Sequence, residues 1–536
     1  MKQETNRPND PQRLEDEEDI MRLEDHCIHT GSDGELDGTT IEQLTELVAR
    51  LGDQKKVVIH LHGGLVSAKK ALAKAEELVP EYLDSGVYPV FFIYRTGLLE
   101  IVRNNLDEIF RERIFKILLR KLSKFVVGKL TTIGGSKAAG ELQLPRDLTI
   151  AMELKKAESK IEPFAWLPSA ESLDEVTEIE ERLLTDALAS DIDFQQEVQA
   201  VVNGATPDQE MEVHSKGATT IHRISSETLM SPDVVDELVE DASKKDAKGL
   251  FSSAKIIVRA VKIFKRVISR TINDRDHGPY ATVIEEILRE LYIANVGALI
   301  WGLMKQETLD TFRPSPSGSV RGGRAFVFQL GKMLKETGAN PEISVVAHSL
   351  GSVFACNLIN HVAEARDDPN HPLPDGFSLK NLIFLAPAAE HQVFADTLSR
   401  HSSVFRNFRM FALSDELERG YWEIPAIYPR SLLYLVSGVV EKRDDGKSAF
   451  DRPLVGMQRY LNDTNTYNEQ EVQAVRTFLE RSQDSCVWSI AEGQGAGLES
   501  NAVRHGGFDD TVADDGSPAP RKTMDSVLHI LGKGMK

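Results

Sequence analysis

Apolar residues run along this chain in two rhythms, short unbroken runs and longer stretches with helical spacing, and the two alternate. IEQLTELVARLG (residues 41–52) has helical spacing and closes on Gly52. KKVVIHLHGG (55–64) follows; its β-branched run and glycine stop predict a buried parallel strand. SAKKALAKAEELVPEYLDSG (67–86) predicts a helix, and YPVFFIYRTG (88–97) a second buried strand. Strand, helix and strand in that order make a βαβ unit.

The strand rhythm then stops for more than 200 residues. Residues 100–127 are helical in pattern and basic, 173–189 (LDEVTEIEERLLTDALA) are helical and acidic, and GATTIHRIS (217–225) predicts a short strand. Residues 232–271 read as two helices, and 282–312 add one or two more whose last turns return to the sheet. The alternation resumes with a helix over 322–338 that ends at a glycine. PEISVVAHSLG (341–351) is a strand, a sharp turn and a helix start. LKNLIFLAPA, NFRMFALSD and SCVWSIAEG supply three further strands, and TMDSVLHILGKG a closing amphipathic helix. The predicted class is α/β, a mainly parallel central sheet flanked by helices and interrupted by a mostly helical cap. Its parts are an acidic flexible segment (1–40), a first sheet portion (41–99), the helical insertion (100–290) and a second sheet portion (291–536).

Charge narrows the functional classes. The formal net charge is −20, which argues against a nucleic-acid partner. Residues 1–40 carry twelve Asp/Glu against four Lys/Arg and contain no apolar core of signal-peptide type. No run reaches the roughly 18 apolar residues of a membrane span. Cys27, Cys356 and Cys486 are widely spaced, without a CxxC or Cys/His cluster. These features predict a soluble cytoplasmic protein in a reducing compartment, with no metal and no cofactor. Oligomeric state is left open.

The most informative string is ISVVAHSLGSVFACNLINHVAEA, in which an apolar run ends at Ala347-His348-Ser349-Leu350-Gly351 and a helical pattern begins at once. A serine forced into so tight a strand-to-helix turn projects its hydroxyl above the sheet, near helix N-terminal amides that favour developing negative charge. The pattern is the elbow G-x-S-x-G with Ala347 in place of the first glycine, and it makes Ser349 the candidate nucleophile. His348 is a structural or pocket neighbour rather than the base.

With that elbow and the string IHLHGGL (59–65), the chain resembles the α/β-hydrolase superfamily, specifically its serine esterases and lipases. The resemblance covers about 55–98 and 325 to the C-terminus. It implies an oxyanion site whose donors are the amides of Leu65 and Leu350, with His62, Gly63 and Gly64 shaping the loop. It also implies the order serine, acid, histidine. His505, in ESNAVRHGGFDD after the last strand, is the expected base; His391 and His401 precede the favoured acid and rank below it. Asp415, after the strand-like FRMFALS, is the expected acid, with Glu390 as the alternative and Glu416 and Glu418 as further rivals. Tyr94 and Arg95, at the end of the second strand, are candidates either for the pocket lining or for a packing role.

Together these features imply a serine hydrolase that cleaves a carboxylic ester, small or lipid-like, through an acyl-enzyme. The alternatives are a catalytically silent scaffold that binds a protein partner, and an amidase or peptidase. The basic helices of the insertion leave peripheral membrane contact open, although a cap that buries its apolar face and keeps its lysines in water is the favoured reading. The acidic 171–212 run, with thirteen Asp/Glu and one Arg, is either a counter-charge for those helices or a solvated surface.

Overall fold

A computed structural model describes residues 22–31, 33–64, 67–94, 105–131, 142–167, 173–204, 210–211, 222–223, 228–243, 253–292, 294–315, 318–441, 450–510 and 521–535. Its strands are β1 (Cys27–Thr30), β2 (Lys56–Leu61), β3 (Tyr88–Tyr94), the two-residue β4 (Glu210–Met211) and β5 (His222–Arg223), β6 (Glu342–His348), β7 (Leu379–Leu385), β8 (Phe405–Leu413) and β9 (Cys486–Ser489). Seven of them form one sheet in the order β1-β3-β2-β6-β7-β8-β9, and every pairing in it is parallel. β4 and β5 pair antiparallel as a separate ribbon inside the insertion.

Parallel strands need crossovers that cover both faces, so their sequences are apolar throughout rather than alternating. Ile59, Leu61, Phe92, Val345 and Ala347 face a layer that includes helices Ile41–Leu51, Gly322–Thr337 and Gly351–Asp367. Val58, Phe91, Ile93, Val346 and Ile383 face Ala68–Asp84 and Lys522–Lys533, where Ala75, Leu78, Val79, Met524 and Val527 complete the core. A parallel sheet flanked on both faces and interrupted by a large helical insertion matches the α/β-hydrolase architecture.

One difference from the sequence reading concerns the first segment. β1 lies inside the acidic segment expected to be flexible. Four residues suffice because the strand adds to the edge of β3 with Cys27 and Ile28 buried. The helical insertion shares its apolar core with one face of the sheet: Phe125, Phe264 and Ile284 belong to the same cluster as Phe92 and Phe354. The basic helix Ala254–Ile272 buries Ile256, Ile257, Phe264, Val267 and Ile268. Its cations meet carboxylates: Arg259 contacts Glu237 and Glu290 at 3.0 Å, and Lys265 contacts Glu181 at 2.7 Å. In the acidic run, Glu180 pairs with Lys129 at 2.9 Å and Asp191 with Lys121 at 2.5 Å. Lys265, Lys129 and Lys121 thus pair with the acidic run, while Val258 of this helix stays exposed. Among the described residues no helix is long and apolar enough to cross a membrane.

Candidate active site

β6 is buried from Ile343 to His348, and the chain reverses at Ser349 with φ of 52°. A side chain in that left-handed region is strained and persists only where its surroundings over-determine it. Here they do. The Ser349 N–H donates to the Leu385 carbonyl at the end of β7 (2.9 Å), and the Ser349 carbonyl accepts from the amides of Ala388 (3.1 Å) and Ser352 (3.0 Å) and from the Ser352 hydroxyl (2.6 Å). Gly351 is required for closeness, since a Cβ there would sit 2.4 Å from the Leu61 carbonyl oxygen. The helix Gly351–Asp367 can therefore start directly behind the end of β2.

The same close approach brings the loop after β2 onto the turn. A Cβ on Gly63 would lie 3.3 Å from Ser349 Cβ, and one on Gly64 would lie 2.7 Å from Leu350 Cδ2. The Leu350 amide makes no hydrogen bond among the described residues and stands at the helix N-terminus. His62 orients the loop. Its Nδ1–H donates to the Gly63 carbonyl (2.8 Å), and its Nε2 accepts from the Tyr94 N–H (3.3 Å). This fixes the neutral tautomer, and burial holds the His62 pKa down at about 4. Tyr94 takes the packing role rather than the pocket one; its ring stacks on His62 at 4.0 Å and its hydroxyl donates to the His62 carbonyl. Leu65 and Arg95 lie outside the described residues.

His505 sits on a single helical turn, His505–Gly507, downstream of β9. Its Nε2 is 2.9 Å from Ser349 Oγ, and both residues are buried, at 4% and 3% exposure. Burial, and after it the neighbouring His348, lower the His505 pKa to about 3, so its ring is neutral near pH 7 and free to accept the serine proton. Its Nδ1 has no hydrogen-bond partner among the described residues.

The expected acid is the point of difference. Asp415 opens the short helix Asp415–Gly420, and its Oδ1 accepts from the Tyr434 hydroxyl at 2.6 Å. It lines a cavity of about 540 Å³ with His277, Tyr434 and Arg459, and it is not bonded to His505. Glu390 is held by Lys305 (3.1 Å) and Arg452 (2.7 Å) and does not reach His505 either. Position after a strand brings a carboxylate to the right end of the sheet, but helix start and local partners decide where it points. The residue missed by the sequence reading is Asp509, in the quoted HGGFDD. Its Oδ2 lies 3.1 Å from His348 Nδ1, while His348 Nε2 lies 3.0 Å from the His505 carbonyl oxygen. No group of three or more metal-ligating side chains is assembled among the described residues.

Glu418 is fully buried, its carboxyl accepts from the Ser431 hydroxyl, and burial pushes its pKa up to about 8. Glu418 in the unfolded chain ionises near the ordinary carboxylate value, so its contribution to stability is greatest below about pH 4.5 and is lost as pH rises toward 8. Glu418→Gln removes that slope. The variant is expected to be about 1–3 kcal/mol more stable than wild type at pH 7, with a gain that shrinks toward pH 4.5. Urea unfolding at both pH values measures this; an equal gain at the two would show that ionisation is not the cause.

No protein-family model, curated protein or solved structure matches this chain, so the fold and the site geometry carry the functional argument.

Proposed function

We propose that this protein is a serine hydrolase acting on a carboxylic ester, small or lipid-like, through an acyl-enzyme. The observation that carries the reading is the 2.9 Å contact between Ser349 Oγ and His505 Nε2 at a strained strand-to-helix elbow. Ser349 Oγ attacks the carbonyl carbon as its proton passes to His505 Nε2. The negative oxygen is stabilised by the Leu350 amide, with Leu65 proposed as the second donor. His505 then protonates the departing alkoxide, takes a proton from water, and directs the resulting hydroxide at the acyl carbon. Esters suit the site best because an alkoxide leaves with less assistance than an amine.

A second reading is favoured by two observations, the burial of Ser349 and the lack of a carboxylate on His505 Nδ1 among the described residues. It is a catalytically silent scaffold that binds a protein partner. Treatment with a fluorescent fluorophosphonate separates the two. The esterase reading expects modification at Ser349, located by peptide mass spectrometry and absent from Ser349→Ala. Folded protein that stays unmodified even after limited proteolysis of the insertion would leave the scaffold. Modified protein would next be given esters of graded acyl length.

A further inference from the structure

His348 is the residue before the nucleophile, and its ring is buried between two acceptors. Nδ1 faces the Asp509 carboxylate at 3.1 Å and Nε2 faces the main-chain carbonyl of His505 at 3.0 Å. Neither neighbour can donate when Asp509 is ionised, so both ring nitrogens carry hydrogen and His348 is an imidazolium. The same geometry ties the elbow to the loop that carries the base, through one side chain.

On the reading of Ser349 and His505 as nucleophile and base, we infer that the His348–Asp509 ion pair is a positioning device for His505, gripping its backbone where its ring Nδ1 has no partner among the described residues. A carboxylate on Nδ1 normally fixes the ring's tautomer and orientation. Here the main chain is fixed instead, and the imidazolium lies beside the base with ring centroids 5.5 Å apart. Two consequences follow. Loss of the grip loosens the approach of His505 to Ser349, and loss of the cation makes His505 more basic.

The sign of the second effect comes from the charges that face the pair. His348 depresses the His505 pKa more than Asp509 raises it. Burial alone would lower the His348 pKa, but Asp509 outweighs it and holds the imidazolium. Around them stand His60, whose buried ring is neutral with a pKa near 3, neutral His62, Lys74 and Asp510. Asp509→Asn leaves His348 buried beside a neutral amide and removes its charge. His348→Gln removes the cation directly but keeps a side-chain N–H in reach of the His505 carbonyl. In both variants the His505 pKa rises.

The test is the rate of fluorophosphonate reaction at Ser349 against pH, for wild type, Asp509→Asn, His348→Gln and His348→Ala. Asp509→Asn and His348→Ala are expected to react about 10- to 100-fold more slowly at pH 7.5. His348→Gln is expected to recover part of the rate lost in His348→Ala. The acid limb moves to higher pH in all three. A purely structural pair would lower the melting temperature and leave the limb where it is in the folded fraction, and that result overturns the inference. Ring-labelled histidine, with the His505 signal assigned by His505→Gln, gives the titration of His505 by NMR without any reaction. If wild type fails to react, the esterase reading is lost, and the NMR midpoint still decides the pair: a rise in Asp509→Asn supports its hold on His505, and an unmoved midpoint refutes it.

Discussion

Replacing His505 with glutamine is expected to lower kcat for hydrolysis of an activated ester by about 10⁴-fold, with KM changed by no more than a few-fold. Glutamine keeps most of the volume of the buried imidazole. What disappears is the proton acceptor 2.9 Å from Ser349 Oγ. A serine hydroxyl is a weak nucleophile at its own pKa, and general-base assistance acts on the transition state rather than on ground-state binding. The effect therefore falls on kcat. The wild-type profile carries a second expectation: because burial and His348 hold the His505 pKa at about 3, the acid limb of kcat/KM lies well below the ordinary histidine value. Steady-state rates for wild type and variant with a p-nitrophenyl ester measure both. A fall of less than 10-fold in kcat would remove His505 from the role of base.

Those expectations depend on features that differ in how far they can be read from sequence. The elbow is legible because a buried strand, a compulsory turn and a helix start are all local: Ile343 to His348, Ser349, then Gly351. The glycine loop is legible for the same reason, since Gly63 and Gly64 stand where any side chain would meet Ser349 or Leu350. The approach of His505 to Ser349 is legible by its place after the last strand. Partnership between side chains is not local. Asp415 has the right place in the chain, but Tyr434, 19 positions on, captures its carboxylate. His348 points into the contact between the elbow and the base loop, which the chain builds by bringing together residues 157 and 161 positions apart. β1 was missed because four residues in an acidic stretch carry no periodic signal and are fixed only by the edge of β3.

Arg270→Met is expected to destabilise the protein by about 3–5 kcal/mol at pH 7. Arg270 is fully buried between two carboxylates: it makes an ion-pair contact with Glu285 at 2.8 Å and donates to Glu286 at 3.0 Å. Glu285 also accepts from the Tyr428 hydroxyl (2.6 Å) and contacts His277 (2.7 Å), while Asp451 takes Arg275 at 2.7 Å and the hydroxyls of Tyr460 and Tyr467. These bonds tie the insertion helices Ala254–Ile272 and Pro279–Leu291 to the segment between β8 and β9. Methionine approximates the length of the arginine stem but leaves the carboxylates in a medium that cannot solvate them. Burial alone would raise the Glu285 pKa, and His277 and Arg270 hold it at about 2 instead. Its stabilisation is present above the unfolded value near 4.5 and is lost as pH falls toward 2. The penalty of Arg270→Met is therefore largest at neutral pH and shrinks below about pH 4.5, where the uncompensated carboxyl takes up a proton. Adding Glu285→Gln to Arg270→Met is expected to recover part of the loss at pH 7. Urea unfolding of the single and double variants at pH 7 and pH 4 measures each quantity, and a loss under 1 kcal/mol would mean that water reaches the cluster. The same bonds set the frame of the cavity beside Asp415, so the single variant also tests whether the insertion is held to the sheet domain by charge or by its shared apolar core.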